Sequence, residues 1–578
     1  MEEENINSDV EEKKETPEEF EKRKEAIKEK LSRLAVNKYT LIFAGIFILG
    51  IIIRLYFFFI TKNQPLWWDE ADYMAFAKNI ANIGSTDWIV TSKHNSLFPY
   101  IVAVFLKIGS SEMVIRFFLE LIPSILLIFL TYKICLLMYR DKKIALISGF
   151  LIATFWNILF ESFRIQLDIP ALLFVFLAIY IFWQGYECRE KIFGKINHKY
   201  TIPLTVLLVL LVYAIRKSYF IFGAFFLIYM LITRDIKSLI KDKYNWISLG
   251  IVVILYLILN KFIFISSLDA SSTISDAFGG QFDLVPLQIF STYFVNIFNP
   301  ILSPLTWLFW IGFVLIIFNL IIGVKLLRKR EGNEELRADF FNFLCIAITL
   351  IFFFFLTRDG DLGDPRWYFP LLLASLVSIS KGGILIYNSI KKYNKPIAVI
   401  ALILLIGFGG YYEYKHGESI ILNKVNSYQG IKDASLYIKG IANPNDIIIS
   451  VPVPQTAYYS ELSSLSPSGL FNNTQTHSEI LLEEFLDKVR ETPNVKYMIV
   501  SFSEPGHPVW MRNESVEYAQ NPNTGQIMRV RIEIPFMDTS VDFINQAQDI
   551  KQTKTYEDLT FKLLTTNQDS FIYEIQRT

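Results

Sequence analysis

The run Trp67-Trp68-Asp69-Glu70, with Asp72 and Tyr73 just after it, follows directly on the first long apolar stretch of the chain. A carboxylate at a water–membrane boundary can take the proton from a hydroxyl held against it, and a second acid can orient that hydroxyl or the base itself. Asp69 is the candidate base, with Glu70 or Asp72 in the orienting part. Cations recur at the ends of later apolar stretches: Arg54, Arg116 near Glu120, Arg164 between Glu161 and Asp168, Arg216-Lys217, Lys261, and Arg358 and Arg366 around Asp359, Asp361 and Asp364. Arg neutralises a phosphate by paired hydrogen bonds and Lys as a compact cation, so acids and cations together suit a transfer in which an anionic group departs. Taken singly, each cation also fits a snorkelling side chain or an internal ion pair.

These residues need elements to position them. Apolar residues make up 52% of the chain, and they fall into blocks of roughly 15–25 residues, the pattern of an α-helical polytopic membrane protein. About eleven spans are predicted, near 39–60, 113–138, 143–160, 168–186, 200–215, 218–233, 245–265, 304–326, 340–357, 367–387 and 396–412. Cytoplasmic loops retain Lys and Arg. The basic clusters at 140–143, 189–199, 234–243, 325–330 and 391–395 are therefore predicted inside, and the 266–303 loop, without Lys or Arg, outside. With the amino terminus cytoplasmic and an odd span count, the Asp69 loop and everything after 412 are extracytoplasmic. The predicted domains are a charged leader at 1–38, a transmembrane domain at 39–412 whose loop 61–112 carries the Asp-Glu pair, and an extracytoplasmic α/β domain at 413–578.

In the last of these, strand-like runs at Asp446–Val451, Val495–Phe502, Ile527–Ile534 and Ser570–Ile575 alternate with helical patterns around 430–441 and 477–491. Within the 61–112 loop, 70–83 and 97–109 read as amphipathic helices lying in the outer interface. The 266–303 loop, with Gly279-Gly280, reads as a lid or as a plain connector. Lys plus Arg and Asp plus Glu number 56 each, so no global field points to nucleic acid. Cys135, Cys188 and Cys345 all fall near the predicted cytoplasmic side, which speaks against a disulfide framework. The five histidines show no metal-ligand spacing. Asp69, Glu70, Asp72 and Asp168 leave a divalent cation open through oxygen ligands.

Read together, Arg54, Trp68-Asp69-Glu70-Ala71-Asp72-Tyr73, Phe98-Pro99-Tyr100, Gly109-Ser110-Ser111-Glu112-Met113-Val114-Ile115-Arg116, Phe163-Arg164-Ile165-Gln166-Leu167-Asp168-Ile169-Pro170, Arg216-Lys217 and Arg366-Trp367-Tyr368-Phe369-Pro370 carry a resemblance. Over roughly 40–412 the chain resembles the GT-C superfamily of lipid-phosphate-sugar-dependent glycosyltransferases, in particular the dolichyl-phosphate-mannose protein mannosyltransferase and aminoarabinose transferase branch. The resemblance implies Asp69 as catalytic base with Glu70 its partner, and Asp168 as a second family acid. It implies Arg164, Lys217 and Arg366 as cations for the lipid phosphate. Asp72, Tyr73, Arg116, Arg216 and Tyr368 complete the candidate substrate-binding set. The implied reaction is inverting transfer from a polyprenyl-phosphate sugar to a protein, lipid or glycan acceptor at the outer face, with no cofactor required. Protein mannosyltransferases of this kind carry an inserted β-trefoil domain between spans, and the 266–303 loop is too short for one. The Trp67-Trp68-Asp69 string is also similar to an oligosaccharyltransferase signature that belongs in the carboxy-terminal domain of such enzymes. A transporter or flippase of lipid-linked sugars is the alternative, although charges at one face without an internal repeat do not suit it.

Overall fold

The computed structural model describes residues 38–83, 96–263, 304–329, 332–356, 365–473, 480–501, 507–508, 510–511, 515–520, 527–532, 543–546, 549–550, 552–567 and 569–578. The leader, the 266–303 loop and the acids and Arg358 of the 358–364 turn lie outside the described residues. Eight described helices are long and apolar enough to cross a membrane. They are α1 (Lys38–Thr61), α4 (Glu112–Tyr139), α7 (Asp168–Glu187), α8 (His198–Ile215), α10 (Lys243–Phe262), α11 (Pro304–Leu326), α13 (Tyr368–Lys391) and α14 (Lys395–Lys424). The other three predicted segments are helical in different ways. Segment 143–160 is broken at Phe155 into α5 (Lys142–Thr154) and α6 (Trp156–Glu161), 218–233 holds the shorter α9 (Ile221–Thr233), and 340–357 lies on α12 (Glu334–Leu356).

Apolar packing alone gives little drive between helices in lipid, so close approach and internal polar bonds set the arrangement. A Cβ on Gly312 of α11 would lie 1.7 Å from the Ser378 carbonyl of α13, and one on Gly382 of α13 would lie 2.1 Å from the Leu308 carbonyl. The two backbones touch because neither carries a side chain there. Nearby, Lys381 reaches Asp339 at 2.7 Å and Glu335 at 2.8 Å, while the Tyr139 hydroxyl donates to Asp339 at 2.9 Å. That network ties α4, α12 and α13 near the middle of α13.

Between α1 and α4 lie α2 (Trp68–Ala81) and α3 (Phe98–Lys107), matching the amphipathic pieces read from the sequence. Asp69 and Glu70 fall in the first turn of α2, where the helix dipole favours anions. Pro99 sits at the start of α3, where its missing N–H is no loss. The domain boundary expected at 412 falls inside α14, whose 30 residues extend about 45 Å, longer than a hydrocarbon core. The helix therefore continues out of the apolar layer and feeds directly into the last domain.

That domain contains α15 (Gln429–Ile441), α16 (Val453–Ser460), α17 (Leu482–Glu491) and strands β1 (Ile447–Ser450), β2 (Ser463–Leu465), β3 (Val495–Ser501), β4 (Ser515–Gln520), β5 (Ile527–Ile532), β6 (Ile544–Gln546), β7 (Asp549–Ile550), β8 (Thr553–Tyr556), β9 (Leu559–Asn567) and β10 (Ser570–Arg577). The main sheet runs β2-β1-β3-β10-β9-β8, and β4–β5 and β6–β7 form separate pairs. Strand β1 is parallel to β2 and β3, and β10 is antiparallel to β3 and β9. The two faces follow the alternation of the strands. Ile448, Ile499 and Ile572 meet Ile431, Ala434 and Ile438 of α15, while Ile449, Met498 and Val500 meet Phe485, Leu486 and Val489 of α17.

Candidate active site

The ends of α1, α2, α4, α7, α8 and the start of α13 converge; the end of α1 brings the Thr61 carbonyl and the others bring one or two charges each, Arg366 just ahead of α13. Glu70 is 1% exposed; it accepts from Arg164 Nε at 3.1 Å and from the Ile165 N–H at 3.0 Å, and Arg116 lies 3.6 Å away. Arg116 also donates to the Thr61 and Gln64 carbonyls. Arg164 in turn reaches Glu161 at 3.4 Å and lies over the Trp67 ring at 4.4 Å. Glu70 thus ties the first turn of α2 to the turn before α7 and, through Arg116, to the segment before α2. A carboxylate so enclosed orients its neighbours.

Asp69, one residue earlier on the helix, is 46% exposed. Arg366 Nη2 stands 3.6 Å from its Oδ2, and the same guanidinium lies 3.9 Å from Asp168. Gln166 Oε1 accepts from Arg366 Nη1 at 2.6 Å and fixes its fork. Asp168 is fully buried and paired with Arg216. The result is a row, Asp69–Arg366–Asp168–Arg216, open to solvent at the Asp69 end. Burial opposes the charge on Arg164 and on Arg216, but Glu161 and Glu70 for the first, and Asp168 for the second, push both above the ordinary guanidinium value. Tyr73 packs edge-on against Phe98 at 5.6 Å; burial first, then the charges of Asp69 and Asp168, raise its phenol, so it stays a donor. Asp72 is half-buried on α2, and Lys217 is half-buried beside Arg216, with burial lowering its ammonium.

Other sequence candidates go elsewhere. Tyr368 is 1% exposed and lines an apolar chamber with Leu151, Phe155, Leu305 and Glu413. Arg54 is fully buried and donates to the Ile152 and Ala153 carbonyls at 3.2 and 2.9 Å, and to Ser124. The break at Phe155 frees those carbonyls, and Arg54 caps them, an internal use of a membrane cation. Lys261 is exposed at the end of α10. Two contributors named in the sequence stand outside the candidate catalytic and substrate-binding set. Gln166 is neutral and raised no electrostatic flag; Glu120, an acid within a span, did carry a signal. Glu120 is fully buried in a π-helical turn, Phe117–Leu121, and accepts from the Gln166 N–H at 2.9 Å.

Among the described residues no group of three or more His, Cys, Asp and Glu is arranged to hold a metal ion. Of the four acids left open for a divalent cation, three are ion-paired with arginine, Glu70 with Arg164 and Arg116, Asp168 with Arg216 and Asp69 with Arg366, while Asp72 is half-buried on α2.

Residues 93–263 match the family described as dolichyl-phosphate-mannose-protein mannosyltransferase. No curated protein sequence matches the chain. In three dimensions it resembles the oligosaccharyltransferase of Archaeoglobus fulgidus solved with zinc and sulfate, at TM-score 0.54 and 13% identity over 80% of this chain and 68% of that one. It resembles the same organism's AglB bound to an inhibitory peptide and dolichol phosphate at 0.54 and 12%, over 86% and 75%. ArnT of Cupriavidus metallidurans, bound to undecaprenyl phosphate, aligns at 0.50 and 13%, over 93% and 98%. These matches give the chain, with its eight described helices long and apolar enough to cross a membrane, the fold of the archaeal oligosaccharyltransferase and of ArnT, and make residues 93–263 similar to the protein mannosyltransferase family.

Proposed function

We propose that the protein is an integral-membrane inverting glycosyltransferase that moves a sugar from a polyprenyl-phosphate donor to a hydroxyl-bearing protein, lipid or glycan acceptor on the extracytoplasmic face. The observation that carries this reading is Arg366, shared between the half-exposed Asp69 and the buried Asp168. A donor phosphate entering beside Arg366 draws the guanidinium toward itself. That neutralises the departing group and strips Asp69 of its counter-ion, so the base is released as the leaving group is bound. Arg216, Lys217 and Arg164 add positive charge beside it, and Tyr73, kept protonated, supplies a hydrogen bond to a sugar or phosphate oxygen. Glu70 and Arg116 hold the loop in place. The related structures named for dolichol phosphate and undecaprenyl phosphate support a lipid-phosphate donor. The reaction as read runs without a metal, because a divalent cation would first have to displace arginine from Asp69, Glu70 or Asp168.

The test is to incubate the purified protein in proteoliposomes with polyprenyl-phosphate sugars and follow the lipid. Stoichiometric release of polyprenyl monophosphate with a glycosylated product supports the reading. Movement of intact donor across the bilayer without product refutes it. Transfer abolished by chelator and restored by magnesium or manganese would overturn the metal-free chemistry.

A further inference from the structure

The carboxy-terminal domain grips the segment that leads into Asp69. The Tyr459 hydroxyl on α16 accepts from the Leu66 N–H at 2.8 Å, and the Tyr458 hydroxyl donates to Glu112 at 3.1 Å. Lys78, on the last turn of α2, reaches Glu461 at 3.0 Å and lies over the Tyr458 ring at 4.2 Å, while Lys439 reaches the other oxygen of Glu461 at 2.8 Å. Gln64 donates to the Lys424 carbonyl at 3.3 Å, and Trp67 packs against Tyr428 at 6.1 Å. From the opposite side Arg116 holds the Thr61 and Gln64 carbonyls. Beyond Thr61 a turn closed by the Gln64 N–H on the Thr61 carbonyl at 2.9 Å leads to Pro65, Leu66 and Trp67, which have no regular structure and whose course these bonds set. Asp69 follows three residues after Leu66.

We propose that the carboxy-terminal domain is a latch on the Asp69 segment, with Tyr459 as a positioning residue for transfer. This rests on Asp69 being the base. Tyr458 and Tyr459 are each 6% exposed, so the hydroxyl of Tyr459 is spent inside the joint. A tyrosine there provides both ring packing and an acceptor for the one N–H, a pair that phenylalanine divides. The domain then acts on the reaction through backbone geometry.

The experiment compares Tyr459→Phe with Glu461→Gln in the full-length protein. Glu461→Gln weakens the ion pairs of the same joint without touching Leu66. The latch predicts that Tyr459→Phe lowers kcat by about 10- to 100-fold with KM for the donor unchanged, since an error near an ångström at a reacting group is worth that much. It also predicts faster amide exchange at Leu66, with Glu461→Gln leaving kcat and Leu66 nearly as in wild type. Unchanged kcat in Tyr459→Phe, or equal losses in both variants, overturns it. If the wild-type protein transfers no sugar, the function proposed above fails on its own. Leu66 exchange then decides the latch: acceleration in Tyr459→Phe keeps it, and an unaltered rate removes it.

Discussion

Asp69 and Glu70 are chain neighbours of the same charge, and their surroundings predict opposite consequences for neutralising them. Glu70→Gln keeps shape and one acceptor but leaves two guanidiniums without their shared anion at a site 1% exposed. Removing one partner of a buried ion pair costs about 3–5 kcal/mol. Arg164 retains Glu161 and the Trp67 face, and Arg116 retains two carbonyls, which places the loss near the lower end. About 3 kcal/mol is roughly two decades in the folded-to-unfolded ratio. Asp69→Asn touches a 46% exposed group 3.6 Å from its cation, where solvent screening leaves about 1 kcal/mol or less. Both can be read by denaturant titration of detergent-solubilised protein, following thiol labelling of the buried Cys135 and Cys345. A lowered midpoint in Glu70→Gln beside a nearly unchanged one in Asp69→Asn is predicted. Equal midpoints in the two variants would refute the division between a structural and a reactive carboxylate.

Lys381→Met leaves Asp339 buried with only Tyr139 and Asn319 to answer its charge, so stability falls by about 3–5 kcal/mol. The site is about 20 Å along α13 from Tyr368, and kcat measured below the unfolding midpoint stays at the wild-type value. Burial lowers the Lys217 ammonium, so its positive charge is lost as pH rises through that lowered value, earlier than for a free lysine. Donor KM is expected to climb on the alkaline side, and Lys217→Arg, which keeps its charge, to remove that limb.

Much of the site was legible because charge at a membrane boundary is expensive and therefore conspicuous. Asp69, Glu70, Arg164, Asp168, Arg216 and Arg366 were all found this way, and all meet in space. Period and hydropathy located α2, α3 and all eleven predicted segments as helices, since a 3.6-residue period and long apolar runs are local properties. What stayed hidden was pairing. Charge type alone could not distinguish Arg54, spent on carbonyls freed at Phe155, from Arg366, poised between two acids. Nor could it reveal Gln166, whose amide fixes Arg366 without any charge of its own. Strands β2 and β8 were missed because they are short, three and four residues, and β9 because its second half, Thr565-Thr566-Asn567, is polar, although β8, β9 and β10 pair as local hairpins. Hydropathy falls at 412, where the apolar span was placed, while the helix, still favoured by its backbone bonds, continues to Lys424.

The most direct test of the account is the transfer rate of purified Asp69→Asn with saturating polyprenyl-phosphate sugar, measured beside its donor affinity. Loss of a general base predicts a fall of about 10²- to 10⁴-fold in kcat, with donor binding retained because Arg366, Arg216 and Lys217 are intact. Transfer at the wild-type rate would contradict it.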